Sequence, residues 1–162
     1  DLYGVEIEAR KSLEFVAPEL RSFTAIANLT VAQSSVQLDG AARDFLTSAE
    51  RPMMNQAPYV LNLALDWEHT TGTTARVLYN VQGARIEQVG AQGLPDAYLQ
   101  PRHVIDLYAG QDLGEHFQVR FVATDLLNAP FVTTQGERRT DDNVMFRYTN
   151  GSRYTLTATY TH

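Results

Sequence analysis

Few residues of this chain have the types and spacing that catalysis requires. The four histidines are His69, His103, His116 and His162. They are scattered, and no pair has the spacing of metal ligands. The chain has no cysteine, which excludes disulfides, thiolate zinc sites, iron–sulfur clusters and thiol nucleophiles. The serines have no evident base partner. We therefore expect a protein that is not an enzyme and that uses no metal or cofactor.

One pair of carboxylates has a spacing that acid–base catalysis could use. Glu6 and Glu8 alternate with apolar residues, so on a strand they share one face about 7 Å apart. Such a pair is compatible with acid–base catalysis, or with charge that lines a watery interior. The charged residues continue along the same face, which favours the second interpretation.

Ligand contacts are expected from loops and from side chains that face an interior, because loops on a rigid scaffold carry specificity. The expected ligand-binding residues are Arg51, Met53, Met54, Asn55, Gln56, Asp96 and Tyr98. For the two methionines, an ordinary role in anchoring the loop stays open beside ligand contact.

Length and composition limit the class of protein. The 162 residues suit one domain or part of a larger one, and 44% hydrophobic residues exclude a disordered chain. A net charge of −6 argues against a nucleic-acid partner. The longest apolar stretch, 59–65, is interrupted by Asn62 and is far shorter than the roughly 20 residues of a helical membrane span. The first residue is Asp1, so we expect a processed chain or a fragment.

Apolar and polar residues alternate with period two through most of the chain, which predicts β-strands. The seven predicted strands span about 3–16, 23–36, 58–68, 74–88, 103–111, 116–134 and 143–160. Only 41–46 offers a short helical stretch. The connections alternate between short and long, with the longer ones at 37–57, 89–102 and 135–142. The fold class is thus all-β, an antiparallel up-and-down meander of about seven long strands.

The charged face of these strands is compatible with two environments. In a soluble β-sandwich the apolar face packs on a second sheet, whereas in a transmembrane barrel it contacts lipid. Strand length near the roughly 9–11 residues of a tilted span, short turns opposite long loops, and aromatic residues near strand ends favour the barrel. Lys11 falls on the apolar face, where a position near the interface lets its ammonium reach water. Backbone groups in lipid must all be paired, so the seven strands need others to close the barrel.

Four segments, taken in order, resemble parts of one family. They are ERPMMNQAPYVLN at 50–62, LYNVQGARI at 78–86, DLLNAPF at 125–131 and YTNGSRYTL at 148–156. Together they are similar to the C-terminal strands of TonB-dependent outer-membrane receptors. Members of that family usually end on an aromatic residue, whereas here Tyr160 is followed by Thr161 and His162.

The resemblance implies that residues 1–162 are the C-terminal segment of a barrel of about 22 strands in the bacterial outer membrane. It implies import of a substrate such as a siderophore, oligosaccharide or peptide. The implied partners are outer-membrane lipid, the remaining strands and plug of the same barrel, and TonB, which acts through a plug that this chain lacks. Two alternatives stay open: a complete small barrel of about eight strands with an adhesive or structural role, and a soluble β-sandwich that serves as a binding module.

Overall fold

The alternating residues form strands along nearly the whole chain. The computed structural model describes residues 1–40 and 44–161, and this part of the chain is all-β. Its strands are β1 (Leu2–Ser12), β2 (Phe23–Ser34), β3 (Val36–Gln37), β4 (Glu50–Arg51), β5 (Tyr59–Glu68), β6 (Thr73–Gln82), β7 (Arg85–Gln88), β8 (Ala97–Leu99), β9 (Val104–Leu113), β10 (Phe117–Thr124), β11 (Phe131–Gln135), β12 (Val144–Tyr148) and β13 (Arg153–Tyr160). Single 3₁₀ turns occur at Leu13–Phe15, Pro18–Leu20 and Asp141–Asn143.

Seven of these strands form one antiparallel sheet in the order β1-β2-β5-β6-β9-β10-β13. The predicted meander of seven long strands is confirmed. The sheet is open over the described residues, because β1 and β13 are its two edges. A closed barrel is therefore not formed by this part of the chain alone.

The two ends of the sheet differ. At the turn end, strands are joined by the segments 13–22, 69–72 and 114–116. At the loop end, three hairpins continue beyond the sheet and form further strands. One extension is the β3–β4 pair, and the others join as a four-stranded sheet in the order β12-β11-β8-β7. The predicted contrast between short and long connections is present, but the long connections contain strands that the sequence did not reveal.

Three of the predicted strands are wrong, because each is interrupted in the structure. The strand expected at 74–88 breaks after Gln82, the one at 116–134 breaks after Thr124, and the one at 143–160 breaks after Tyr148. At the first break Gly83 lies so close to the ring of Pro58 that a Cβ atom would approach it to 2.8 Å. At the second break Asp125 takes a positive φ of 54°, which ends the extended backbone.

The first predicted strand, 3–16, also ends early. β1 stops at Ser12, whose side-chain oxygen accepts a hydrogen bond from the Glu14 N–H at 3.2 Å and starts a 3₁₀ turn. Of the helical stretch expected at 41–46, residues 41–43 lie outside the described residues, as does His162. Among the described residues, no helix is long and apolar enough to cross a membrane.

One face of the seven-stranded sheet is apolar from edge to edge. Directly paired residues share a face, and the pairing aligns Ile7, Leu29, Leu61 and Val81 across four strands. No described element packs over this apolar face. Side chains near both edges are strongly exposed, with Ile7 at 60% and Leu156 at 73%.

Buried side chains concentrate at the loop end instead. The buried residues there include Ser34, Ile86, Asp96, Ala97, Val132, Thr133 and Thr134. Within the seven-stranded sheet itself, Val81, Asp66 and Ala123 are buried. The described part of the chain therefore has its packed core beside the sheet extensions, and the apolar face of the long strands stays exposed over most of its extent, with Val81 and Ala123 as buried exceptions.

Candidate functional site

The site lies at the loop end, where the extensions of the first two hairpins meet the loop of the third. Arg51 is the last residue of β4, and Asp96 directly precedes β8. Their side chains lie 3.8 Å apart, from Arg51 Nη1 to Asp96 Oδ1. The two side chains are only 10% and 5% exposed. A buried ion pair of this kind joins two hairpins that are distant in the sequence.

Asp96 is held rigidly by backbone groups. Its Oδ1 accepts a hydrogen bond from the Gly90 N–H at 2.6 Å, and its carbonyl accepts one from the Gly136 N–H at 2.8 Å. Position 90 has no space for a side chain, because a Cβ there would lie 2.1 Å from the carbonyl oxygen of Leu94. Gly90 thus allows the loop 89–96 to fold back onto its own aspartate.

Arg51 has hydrogen-bonding capacity to spare. Its Nη1 is buried and has no hydrogen-bond partner among the described residues, since the 3.8 Å separation from Asp96 is longer than a hydrogen bond. A buried donor without a partner loses its hydration and gains no protein contact in exchange. Among the described residues, Arg51 Nη1 is therefore an unpaired hydrogen-bond donor inside the loop end.

Gln56 presents the complementary group. Its Oε1 is also buried without a hydrogen-bond partner among the described residues. The turn that carries it is fixed by three contacts: the Met53 N–H donates to Ser34 Oγ at 2.9 Å, the Asn55 N–H to the Ile86 carbonyl at 2.9 Å, and the Gln56 N–H to the Met53 carbonyl at 3.3 Å. Asn55 takes a positive φ of 61°, which asparagine tolerates better than most residues.

A cavity of about 190 Å³, the loop-end cavity, opens beside this turn. Its wall includes Ser34, Pro52, Gln56, Pro58, Arg85, Ile86, Tyr98 and Glu137. Ile86 is the most deeply buried of these at 1% exposure. The wall thus combines apolar rings and one aliphatic side chain with a few polar groups, which is the usual constitution of a small-molecule site.

The environment of Tyr98 raises the pKa of its hydroxyl. Burial raises the pKa of Tyr98 above its ordinary value of 10.0, and the carboxylates of Glu137 and Asp96 raise it further. The Arg51 guanidinium acts in the opposite direction. All three charged groups are therefore close enough to act on the Tyr98 hydroxyl.

Of the seven residues expected to bind a ligand, Gln56 and Tyr98 line the loop-end cavity, whereas Arg51 and Asp96 pair with each other and are not part of its wall. Asn55 supports the turn through its backbone. The side chains of Met53 and Met54 are 43% and 49% exposed and do not line the loop-end cavity.

Sequence reasoning missed most of the wall, including Ser34, Arg85, Ile86 and Glu137. The sequence placed Ser34 and Ile86 within long strands, and nothing in the alternation marks the strand break at 83–84 that turns Ile86 inward. Glu137 comes from the third hairpin, and only the folded chain brings it near β8.

The polar face of the seven-stranded sheet carries a second set of polar contacts. Arg76 donates two hydrogen bonds to Asp66, from Nε to Oδ1 at 2.5 Å and from Nη2 to Oδ2 at 2.6 Å. This pair borders a shallow hollow of about 420 Å³ that Glu68, Tyr108 and Arg120 also line. Both charges of the pair are satisfied within the protein.

A ladder of amides crosses four strands of the same face. Asn80 donates to Asn62 at 2.6 Å, Asn62 donates to Asn28 at 3.5 Å, and Asn28 donates to Glu6 at 2.6 Å. Glu6 is thus an acceptor at the end of a structural network. No three His, Asp or Glu residues within 1–40 and 44–161 stand close enough to hold a metal ion.

Comparisons of the chain with protein-family models, with curated proteins and with solved structures find no match.

Proposed function

We propose that this chain is the C-terminal part of a β-barrel in the bacterial outer membrane, of the TonB-dependent receptor kind. The complete barrel would bind and import a substrate such as a siderophore, an oligosaccharide or a peptide, without covalent chemistry. The remaining strands and the plug would come from other parts of the same barrel, and TonB would act through the plug.

The uncovered apolar face carries this proposal. Leu63 and Leu65 lie in the middle strands and are still 41% and 40% exposed. At about 25 cal/mol for each Å² of apolar surface, a face of this extent is strongly unfavourable in water. Lipid contact removes that cost, and it leaves the charged face of the same strands toward a watery interior.

Aromatic residues at the two ends of the apolar face support a membrane position. At the turn end these are Phe23, Trp67, Phe117 and Tyr160, and at the loop end Tyr3, Tyr59, Tyr79 and Tyr154. Pairs of them touch, with ring centres 6.3 Å apart for Phe23 and Trp67 and 5.8 Å for Phe117 and Tyr160. Two aromatic girdles that flank an apolar band are typical of outer-membrane barrels.

The number of strands in the sheet supports the proposal that further strands close the barrel. Neighbouring strands alternate in direction, so β1 and β13, the first and seventh in the sheet, run parallel to each other. Direct pairing of these two edges would place a parallel pair in an otherwise antiparallel barrel. Closure by antiparallel pairing requires an odd number of additional strands.

The same strand count is also compatible with a smaller barrel. A single additional strand would complete an eight-stranded barrel, so a small structural or adhesive barrel is the second candidate. The mass of the native polypeptide discriminates between the two. An outer-membrane product near 18.1 kDa, the mass of this chain, would favour the small barrel, and a much larger one the receptor.

A pair of adjacent substitutions tests the lipid contact. Leu63→Arg places a charge on the apolar face in mid-strand, and Ala64→Arg places the same charge on the opposite face one residue away. In the full chain reconstituted in a bilayer, we expect Leu63→Arg to lower the free energy of unfolding by about 2–4 kcal/mol, as for an arginine at the midplane.

Ala64→Arg is the matched control, and it should cost clearly less, because its side chain meets the watery interior and Ala64 has no side-chain hydrogen bond to lose. Equal costs for the two variants would contradict lipid contact. So would a wild-type chain that stays monomeric and folded in plain buffer.

A further inference from the structure

We propose that a cavity at the turn end of the sheet binds the head group of a phospholipid that carries one phosphate and one ammonium, as phosphatidylethanolamine does. This turn-end cavity has a volume of about 480 Å³, and its wall includes Glu19, Arg21, Ser22, Phe23, Trp67 and His69. The proposal rests on the membrane position argued above, because it requires the turn end to lie at the level of the lipid head groups.

The turn-end cavity lies at the border between the apolar face and the short connections. Phe23 is the first residue of β2 and pairs with Trp67 of β5, so both rings stand at the turn end of the apolar face. The ring centres of Trp67 and His69 lie 5.8 Å apart, which extends this aromatic row into the next connection. Aromatic girdles of outer-membrane barrels lie at the membrane interface. A cavity beside the row therefore opens onto the head groups of the lipids that cover the apolar face.

Two charged side chains of opposite sign line the cavity. Glu19 and Arg21 are both exposed, and neither forms an ion pair or a side-chain hydrogen bond within 1–40 and 44–161. The planar guanidinium of an arginine matches the geometry of a phosphate, and a carboxylate accepts hydrogen bonds from an ammonium. A head group with one charge of each sign therefore meets both side chains and leaves no net charge unbalanced.

His69 adds a hydrogen-bond donor to the same wall. Its Nδ1 accepts a hydrogen bond from the Thr71 N–H at 3.3 Å, so the ring carries its proton on Nε2. Over the part of the chain that the structure describes, Nε2 has no hydrogen-bond partner, and neither has the Ser22 hydroxyl. The oxygens of an ionised phosphate only accept hydrogen bonds, so the donors of Arg21, Ser22 and His69 suit it.

General attraction between cations and lipid phosphates is the simplest competing explanation. Lys11 represents it, because this lysine shares the apolar face near the turn end, with its Nζ 5.9 Å from the centre of the Phe15 ring, and does not line the cavity. An ammonium in that position attracts every lipid phosphate alike. Glu19 makes the cavity different, because its carboxylate repels a head group that carries a phosphate alone. The structure therefore predicts selection between head groups.

The test measures lipid binding to the full chain in detergent micelles by native mass spectrometry. The probes are phosphatidylethanolamine, phosphatidylglycerol and diacylglycerol with the same acyl chains, and glycerophosphoethanolamine, which has the first head group and no acyl chains. We expect phosphatidylethanolamine to bind about tenfold more tightly than the other two lipids, since only it meets both charges. Glycerophosphoethanolamine should bind more weakly than the lipid, because it has no chains to lie on the apolar face.

Three variants separate the cavity from general attraction. Arg21→Gln should weaken phosphatidylethanolamine binding by about tenfold, because the phosphate loses a charge-assisted hydrogen bond. Glu19→Gln should abolish the preference, so that phosphatidylethanolamine and phosphatidylglycerol bind alike. Lys11→Gln is the matched control, since it removes a cation at the same end of the sheet but outside the cavity, and it should leave the preference unchanged.

Four outcomes would each overturn the proposal: equal binding of the three lipids, tighter binding of phosphatidylglycerol, an unchanged preference in Glu19→Gln, or glycerophosphoethanolamine bound as tightly as the lipid. A structural role of Glu19 would instead weaken both phospholipids equally and keep their ratio, which also contradicts the proposal. Failure of the membrane position is recognised separately, by equal costs of Leu63→Arg and Ala64→Arg. Unequal costs together with no lipid preference would contradict the lipid site alone.

Discussion

Single buried polar residues determine the chemistry at the loop end. Arg51 comes from β4, whereas Asp96 and Tyr98 come from the segment around β8, so two distant segments meet here. Because the surrounding side chains exclude water, the charges act on one another more strongly than they would at the surface. The pKa of the Tyr98 hydroxyl depends on this environment, so its titration measures how well the loop end is packed.

We expect the Tyr98 hydroxyl to keep its proton above pH 10. Its pKa is raised above 10.0 in the folded state, so folding stability is fully present below that value and falls as the pH rises through the higher folded value. Phenolate absorbance of the wild type minus that of Tyr98→Phe isolates one of the eight tyrosines.

A Tyr98 curve with its midpoint at or below the ordinary value of 10.0 would show that the hydroxyl reaches water and that the loop end is not packed as described.

At the scale of elements, the sequence predicts strands well and their interruptions poorly. Alternation along 59–68 and 117–124 requires only local information, because each side chain needs only a polar or an apolar face. The break at 125–130 depends on distant contacts. Asp125 N–H donates to Asp106 at 2.8 Å, and Ser152 Oγ donates to the Asp125 carbonyl at 2.7 Å. No local pattern encodes a partner on another strand.

The breaks also explain which part of the candidate site was predictable. Arg51 and Gln56 lie in one continuous loop of polar and turn-forming residues, and Asp96 and Tyr98 follow Pro95, so both segments were recognisable as loops. Ile86 belongs to an extended run that looks uninterrupted in sequence. Its inward position depends on the close packing of Gly83 against Pro58, which alternation does not reveal.

Asp125 is expected to be the residue that stabilises the second break. Its carboxylate pairs with Arg102 and accepts from the Ala129 N–H at 3.2 Å, while the Arg102 guanidinium stacks 4.2 Å from the centre of the Phe131 ring. Asp125→Asn keeps a residue that tolerates the positive φ but removes the charge. We expect a loss of about 2–4 kcal/mol in the free energy of unfolding, because Arg102 stays largely buried without its partner.

Urea unfolding of the full chain in micelles, followed by the fluorescence of Trp67, measures this loss. Asp142→Asn makes the same chemical change at an exposed loop residue and should shift the midpoint little. Equal midpoints for Asp125→Asn and the wild type would mean that the ion pair contributes nothing to the break.

At the scale of the whole molecule, the distribution of burial and the pattern of the strands lead to one arrangement. The loop end packs its own core, as a part in water must, whereas the long strands expose Leu29, Leu65 and Val77 on one face. A soluble β-sandwich would cover that face with a second sheet, and none of the described elements does so. The arrangement suits strands in lipid and hairpins that extend outside it.

Cysteine labelling can test this arrangement in cells, since the chain has no cysteine of its own. With the long hairpins outside and the short turns in the periplasm, a membrane-impermeant maleimide should label Asp142→Cys in intact bacteria and leave Thr70→Cys unlabelled. Thr70→Cys should react once the outer membrane is permeabilised.

Leu65→Cys, on the apolar face, should react only after detergent dissolves the lipid. Labelling of Leu65→Cys in intact cells as fast as Asp142→Cys would place that face in water, and labelling of Thr70→Cys instead of Asp142→Cys would reverse the orientation.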